Sequence, residues 1–211
     1  MESQKTQIDK RFESGSTKEL DTASASSGKA TALFAAAVYP AKKGGCKGLA
    51  PFVESLKKSG VRVGGIIQEK VPMGNGSMRR VDAVDIATGQ RIPLNQPTTE
   101  NWHNRECSLD HSALTETTAI LRQATMDRVD LMVVEKFGDA ERDGEGLSDE
   151  ILQGIAAGIP LLIAVPETNC EAWTELTGGM GAVLSSEENA LHEWWELIQS
   201  ENAGLSLGTS A

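Results

Sequence analysis

The sequence is short of positive charge. Twenty Lys and Arg stand against thirty Asp and Glu, a formal net charge of −10. That balance argues against nucleic acid and against an anionic membrane surface as main partners. No apolar run reaches the roughly 18 residues of a membrane span. The first residues, MESQKTQIDKRFESGSTKEL, contain no apolar signal core. Cysteine is sparse too: Cys46, Cys107 and Cys170 are widely spaced and odd in number, so they make no disulfide framework. No Ser–His–Asp or Cys–His arrangement is legible, and there is no internal repeat. Aromatic residues are scarce at 4%, but hydrophobic content is ordinary at 39%, so a real core can form. These absences together lead to the expectation of a cytoplasmic protein.

What is present is one α/β pattern with tails. Residues 1–29 are polar and without period, and read as a disordered tail. A single domain is expected over 30–200, followed by a tail at 201–211. Apolar runs at 32–39, 61–68, 131–134, 161–165 and 181–184 read as five strands of parallel character. Between them lie helical patterns. One starts at Leu49 with Phe52, Val53 and Leu56 on one face. Another starts after Asp110 as cap, and a third after Ser148 as cap. A short one carries Trp173. The Ser185-Ser186-Glu187-Glu188 capping box opens the last helix, whose stripe is Leu191, Trp194, Trp195 and Ile198. His192 falls on its polar side, where a solvated side chain is expected. Residues 79–94 alternate around Thr88-Gly89-Gln90 and read as an inserted antiparallel hairpin. The expected fold is a doubly wound, mainly parallel five-stranded sheet with helices on both faces. Ligands of such sheets bind beyond the carboxyl ends of the strands.

Residues 40–48 follow the first strand and precede a helix. That is the context of a phosphate loop, where backbone N–H groups and a helix start face an anion. The pattern G-x-x-x-x-G-K-S/T laid on residues 41–48 keeps only Lys47. Ala41 and Cys46 stand in place of glycines, and Gly48 in place of the hydroxyl that holds Mg²⁺. The loop still offers Lys42, Lys43, Lys47, the amides of Gly44 and Gly45, and Gly48 at the helix start. Ser27-Gly28-Lys29-Ala30-Thr31 precedes the first strand and is discounted. At the same edge come Gln68 and Glu69 after the second strand, then Glu135, Gly138 and Arg142 after the third. Glu135 sits where an acid would hold Mg²⁺ directly or through water. The alternative is a strand end that only pairs with Lys136.

Two further patterns are open to metal readings. Asp139, Glu141, Asp143 and Gly144, with Glu150 eleven residues after Asp139, nearly spell a calcium loop, although Glu141 is too long for its place. A mobile acidic lid over 138–146 is the competing expectation. His103, Cys107 and His111 are spaced four apart, but most of that stretch reads as loop. Cys107 remains a near-site candidate or a buried small residue.

The order of parts resembles the small nucleoside-triphosphatases of the P-loop superfamily related to the human cancer-related enzyme. There a hairpin follows the second strand, and an acidic Glu-Ile-Gly segment ends the strand that binds Mg²⁺. Here Glu135-x-Phe137-Gly138 matches in part. The sequence is closer to domain-of-unknown-function family 2478. The matching pieces are Gly64-Gly65-Ile66-Ile67-Gln68, Cys107-Ser108-Leu109-Asp110, Phe137-Gly138-x-x-Glu141 and Gly158-Ile159-Pro160, within roughly residues 32–185. That resemblance implies a P-loop-like fold with a degenerate phosphate loop and a link to molybdenum genes. The expected function is non-catalytic or regulatory binding of a nucleotide or another oxyanion. The implied ligands are Mg²⁺ with ATP or GTP, or molybdate, and a protein partner or homo-oligomer remains open. The alternative is a weak Mg-dependent nucleoside-triphosphatase.

Overall fold

The computed structural model describes residues 31–74, 79–95 and 111–207. The expected tail at 1–29, the Asp110 cap, His103 and Cys107 lie outside the described residues. Seven strands form one sheet: β1 (Phe34–Tyr39), β2 (Val63–Pro72), β3 (Arg79–Asp85), β4 (Arg91–Pro93), β5 (Leu131–Glu135), β6 (Leu161–Pro166) and β7 (Ala182–Ser185). The helices are α1 (Leu49–Lys58), α2 (His111–Met126), α3 (Asp139–Arg142), α4 (Ser148–Ala156), α5 (Cys170–Leu176) and α6 (Glu188–Leu207).

The strand order is β4-β3-β2-β5-β6-β1-β7. The five strands from β2 to β7 are parallel. They are the five that the apolar runs mark. The hairpin does not stand apart but extends the sheet: β3 pairs antiparallel with β2, and β4 with β3. The second strand outruns its apolar stretch. Val63 to Ile66 pair with β5, and Ile66 to Pro72 pair with β3, so the ladder carries the chain four residues past Gln68.

Alternation along the buried strands sends side chains to two cores. Ala35, Ala37, Leu131, Val133, Leu162 and Ala164 meet Phe52 and Leu56 of α1 and Leu191, Trp194 and Ile198 of α6. Ala36, Met132, Val134, Leu161 and Ile163 meet Leu121 of α2, Ile151 of α4 and Trp173 of α5. Three alanines at 0% exposure make up the middle of β1, so helices approach it from both faces.

Some boundaries differ from the sequence pattern. Ser148 opens α4 but does not cap it. Its hydroxyl donates instead to the carbonyls of Glu145 (2.7 Å) and Glu141 (3.2 Å). Helix α6 continues to Leu207, through most of the stretch expected as tail. His192 is not simply solvated: its ring packs edge-on against Phe52 at 4.9 Å and lies 3.7 Å from Glu188.

Gly65 is where β2 meets β5 most tightly. Its φ is +106°, and a Cβ there would collide with the Val133 carbonyl oxygen. Gly65→Ala is therefore expected to cost about 3 kcal/mol or more, because backbone must shift. Gly60→Ala, at φ +88° with open space around it, should cost only about 1 kcal/mol. Urea midpoints at unchanged slope measure both.

Candidate functional site

The parallel strands end at one edge of the sheet. From β1 the chain crosses over α1 to β2, then returns through β5 and β6 under helices of the opposite face. A crevice opens where these directions diverge. Here it is a cleft of about 370 Å³ between the loop after β1, the outer half of β2, the end of β5 and the turn after β6.

The loop begins with a 3₁₀ turn over Ala41–Lys43. Gly44 (φ 71°) and Gly45 (φ 151°) then take conformations that favour glycine. Both line the cleft, and Lys70 closes the turn by donating to the Gly44 carbonyl at 2.7 Å. Past Gly45 the loop leaves the cleft. The Cys46 side chain is buried at the start of α1, and its carbonyl accepts the Leu49 N–H at 3.2 Å. Its thiol lies 3.8 Å from the Ser186 carbonyl. Gly48 packs on the backbone of residues 186–188; a Cβ there would lie 2.7 Å from the Glu188 nitrogen. The start of α1 is thus sealed by the β7–α6 connection. Lys42 and Lys47 are exposed, and neither they nor Gly48 line the cleft. Of the expected anion cradle, Gly44 and Gly45 reach it. The Lys43 side chain lies outside the described residues.

Glu135 ends β5 and is largely withdrawn from solvent. Its carboxylate accepts the Gln68 N–H at 3.1 Å and faces the Cys46 amide. Burial pushes its pKa up, against the pull of those amides and of Lys70 and Lys136. In the sheet, β6 lies between β5 and β1. Glu135 nonetheless spans that gap to the loop. Burial, reinforced by the Glu135 charge, also raises Tyr39 to about 12 and Cys46 to about 11. Cys46 therefore stays a neutral thiol and is a poor nucleophile.

The acidic stretch after β5 is neither a calcium loop nor an open connector. Glu141 turns inward, 7% exposed, and accepts the Gly138 N–H at 2.8 Å and the Leu147 N–H at 3.0 Å. Arg142 pairs with Asp139 (3.1 Å) and Asp143 (3.0 Å). Glu150 is buried against Arg122 at 2.8 Å. Each carboxylate of the expected calcium set is therefore engaged by an amide or an arginine. Among the described residues no three His, Cys, Asp or Glu come together as a metal set. Buried Asn169 holds the turn from the other side, donating to the carbonyls of Phe137 (3.2 Å) and Gly138 (3.1 Å).

Of the other near-site candidates, Gln68 lines the cleft, whereas Glu69 pairs with Arg91 at 2.6 Å. Gly138 is buried, and Arg142 is occupied by its aspartates. His111 opens α2, and its side chain lies outside the described residues. Tyr39, Lys70, Lys136 and Asn169 line the cleft without having stood out as site residues in the sequence. Lys70 had a usable signal: it lies two residues past Gln68, on the same side of a strand. The arrangement offers two lysines, glycine backbone and one largely buried carboxylate.

Cys46 and Tyr39 set an alkaline limit to stability. Their folded values lie above the ordinary 9.0 and 10.0. Their contributions are thus complete below those ordinary values and are lost as pH rises through about 11 and about 12. Urea midpoints are expected to fall from pH 9 upward, and Cys46→Ala should flatten the first part of that fall.

Comparison with known proteins gives this chain a family. The profile described as protein of unknown function (DUF2478) matches residues 34–194, from the first residue of β1 into α6. A curated relative is the molybdenum import ATP-binding protein ModC 2 of Bradyrhizobium diazoefficiens, 40% identical over 147 residues. That match covers 70% of this chain and 16% of the relative, so the chain spans about a sixth of that protein's length. No solved structure matches the chain. With its parallel sheet and its loop–helix unit inside the matched range, the chain belongs to the DUF2478 family.

Proposed function

We propose that this protein binds a nucleotide or a small oxyanion such as molybdate in the β1–β2–β5–β6 cleft without hydrolysing it. Its role is then that of a regulatory or sensing component of molybdenum metabolism, acting in the cytoplasm. One observation carries this reading: the start of α1, where a working phosphate loop holds its phosphates, is closed. The Leu49 N–H donates to the Cys46 carbonyl at 3.2 Å, and the Cys46 side chain is buried at the helix start. Residues 186–188 close the remaining approach to the helix start. Triphosphate and Mg²⁺ lose the nest that would orient them for attack by water. The open part of the cleft still presents Lys70, Lys136 and the Gly44–Gly45 backbone. The name of the curated relative links it to molybdenum import and ATP binding. That supports molybdate or a nucleotide as ligand, and an ATP-binding import protein as partner.

The second reading, a weak Mg-dependent nucleoside-triphosphatase, is favoured by Glu135 and Asp139 both lining the cleft. Mg²⁺ needs only one or two protein carboxylates beside the phosphates.

Thermal-shift titration with ATP, GTP, molybdate, tungstate and sulfate, each with and without Mg²⁺, separates the two. A ligand at about 100 times its Kd adds about 2.7 kcal/mol, several degrees for a domain of this size. The expected result is such a rise with an oxyanion or nucleotide, unchanged by Mg²⁺, and no phosphate release. Mg-dependent turnover of about 1 s⁻¹ or more, lost in Asp139→Asn, sinks the non-catalytic reading.

A further inference from the structure

We propose that the Glu135 carboxylate is an internal plug: it fills the anion position of the cleft, and an oxyanion binds by displacing it from the Gln68 amide and from beside the Gly44–Gly45 loop. This rests on the cleft being the oxyanion site. The ligand chemistry is a tetrahedral oxyanion, either free or as a phosphate group of a nucleotide.

The geometry is that of a bound anion. The Glu135 side chain reaches away from its own strand to two other chain segments. One oxygen takes the Gln68 N–H of β2 at 3.1 Å, and the other lies 3.5 Å from where a Gly45 side chain would begin. The Cys46 amide faces the same carboxylate. Backbone amides from two segments converging on one carboxylate form a small nest. Two lysines, Lys70 and Lys136, pull on the same charge.

The neighbours leave Glu135 as the anion that matters. Tyr39 of β1 and Cys46 of the loop are neutral over the whole physiological range. Asp139, at the start of α3, is already paired with Arg142 at 3.1 Å. Lys70 also donates to the Gly44 carbonyl, which holds it at the cleft. With Glu135 charged, the lysines face a filled site. With Glu135 neutral or swung out, both lysines and both amides face an empty one. That set suits a dianion, which offers more acceptor oxygens than one carboxylate.

A charged carboxylate and an incoming dianion cannot share this space, because like charges repel strongly where solvent is excluded. Binding therefore selects the neutral or displaced form of Glu135. Burial has already weakened the charged form, so neutralisation costs less than it would on an exposed side chain. A carboxylate acting as a Mg²⁺ ligand predicts the opposite: removing its charge weakens binding.

The test is calorimetric titration of wild type and Glu135→Gln with molybdate, and separately with ATP, in the absence of divalent ions. Both proteins are titrated at about pH 8 and about pH 6. Glu135→Gln keeps the size of the side chain. It is expected to bind about tenfold or more tightly than wild type at the higher pH. The gap should be no larger at the lower pH, which favours the neutral side chain. The arm in which the gap appears identifies a free oxyanion or a nucleotide phosphate. If the variant fails to fold by circular dichroism, Glu135→Ala is titrated in its place and decides, with sulfate, which keeps its charge over this range, as a further probe. Equal affinity or weaker binding by the variant overturns the plug and leaves the cleft as a binding site. No binding of any probe by either protein overturns the plug and the oxyanion reading together.

Discussion

A carboxylate taken out of water must be met by donors or lose its charge. Glu135 meets that requirement with main chain, and much of the cleft follows from it. Its bond to the Gln68 N–H holds the outer part of β2 toward β5. Its other oxygen lies against Gly45, where the chain takes backbone angles that suit glycine. The buried Cys46 side chain fills the start of α1, and the β7–α6 connection packs flat on Gly48. A side chain at the end of one strand thereby meets a loop two strands away.

The turn after β5 obeys the same rule with a different acid. Glu141 replaces the water that the Gly138 and Leu147 amides would otherwise bind. Gly146 leaves it no spare room, since a Cβ there would overlap the carboxylate. Asn169 then ties Phe137 and Gly138 to the end of β6. This segment carries a high density of charge, yet it is braced from both sides. Asp139 can line the cleft only because α3 is held in this way.

The fold was legible because burial on both faces leaves an unmistakable trace. The runs at Phe34–Tyr39, Leu131–Glu135 and Leu161–Pro166 admit few readings besides buried parallel strands. The polar ends of those strands lie at the edge where the cleft opens. What sequence hid was the direction of individual charges. Glu141, Asp143 and Glu145 look alike as letters, but only the first turns inward, because a tight turn leaves two amides unpaired beside it. Lys70 was hidden by a strand that outruns its apolar stretch, held there by ladder bonds that residue type does not announce. Cys46 was read by what it lacks as a missing glycine. Its own chemistry, a buried thiol that donates toward the Ser186 carbonyl, depends on a segment 140 residues away.

β2 changes partner partway along its length. As far as Ile66 it is held by β5 inside the parallel sheet, and beyond Ile66 it belongs to the ribbon made with β3 and β4. Gln68 and Lys70 stand on the ribbon, whereas Glu135 and Lys136 stand on the sheet. The two walls of the cleft are therefore mounted on different bodies that meet near one residue. Ile67 of β2 and Ile86 just past β3 pack into the core beneath α1, and Ala83 and Ile92 pack with Ala113 and Ile120 of α2. The wall that carries Gln68 and Lys70 is therefore braced by its own apolar contacts, apart from those that brace Glu135 and Lys136.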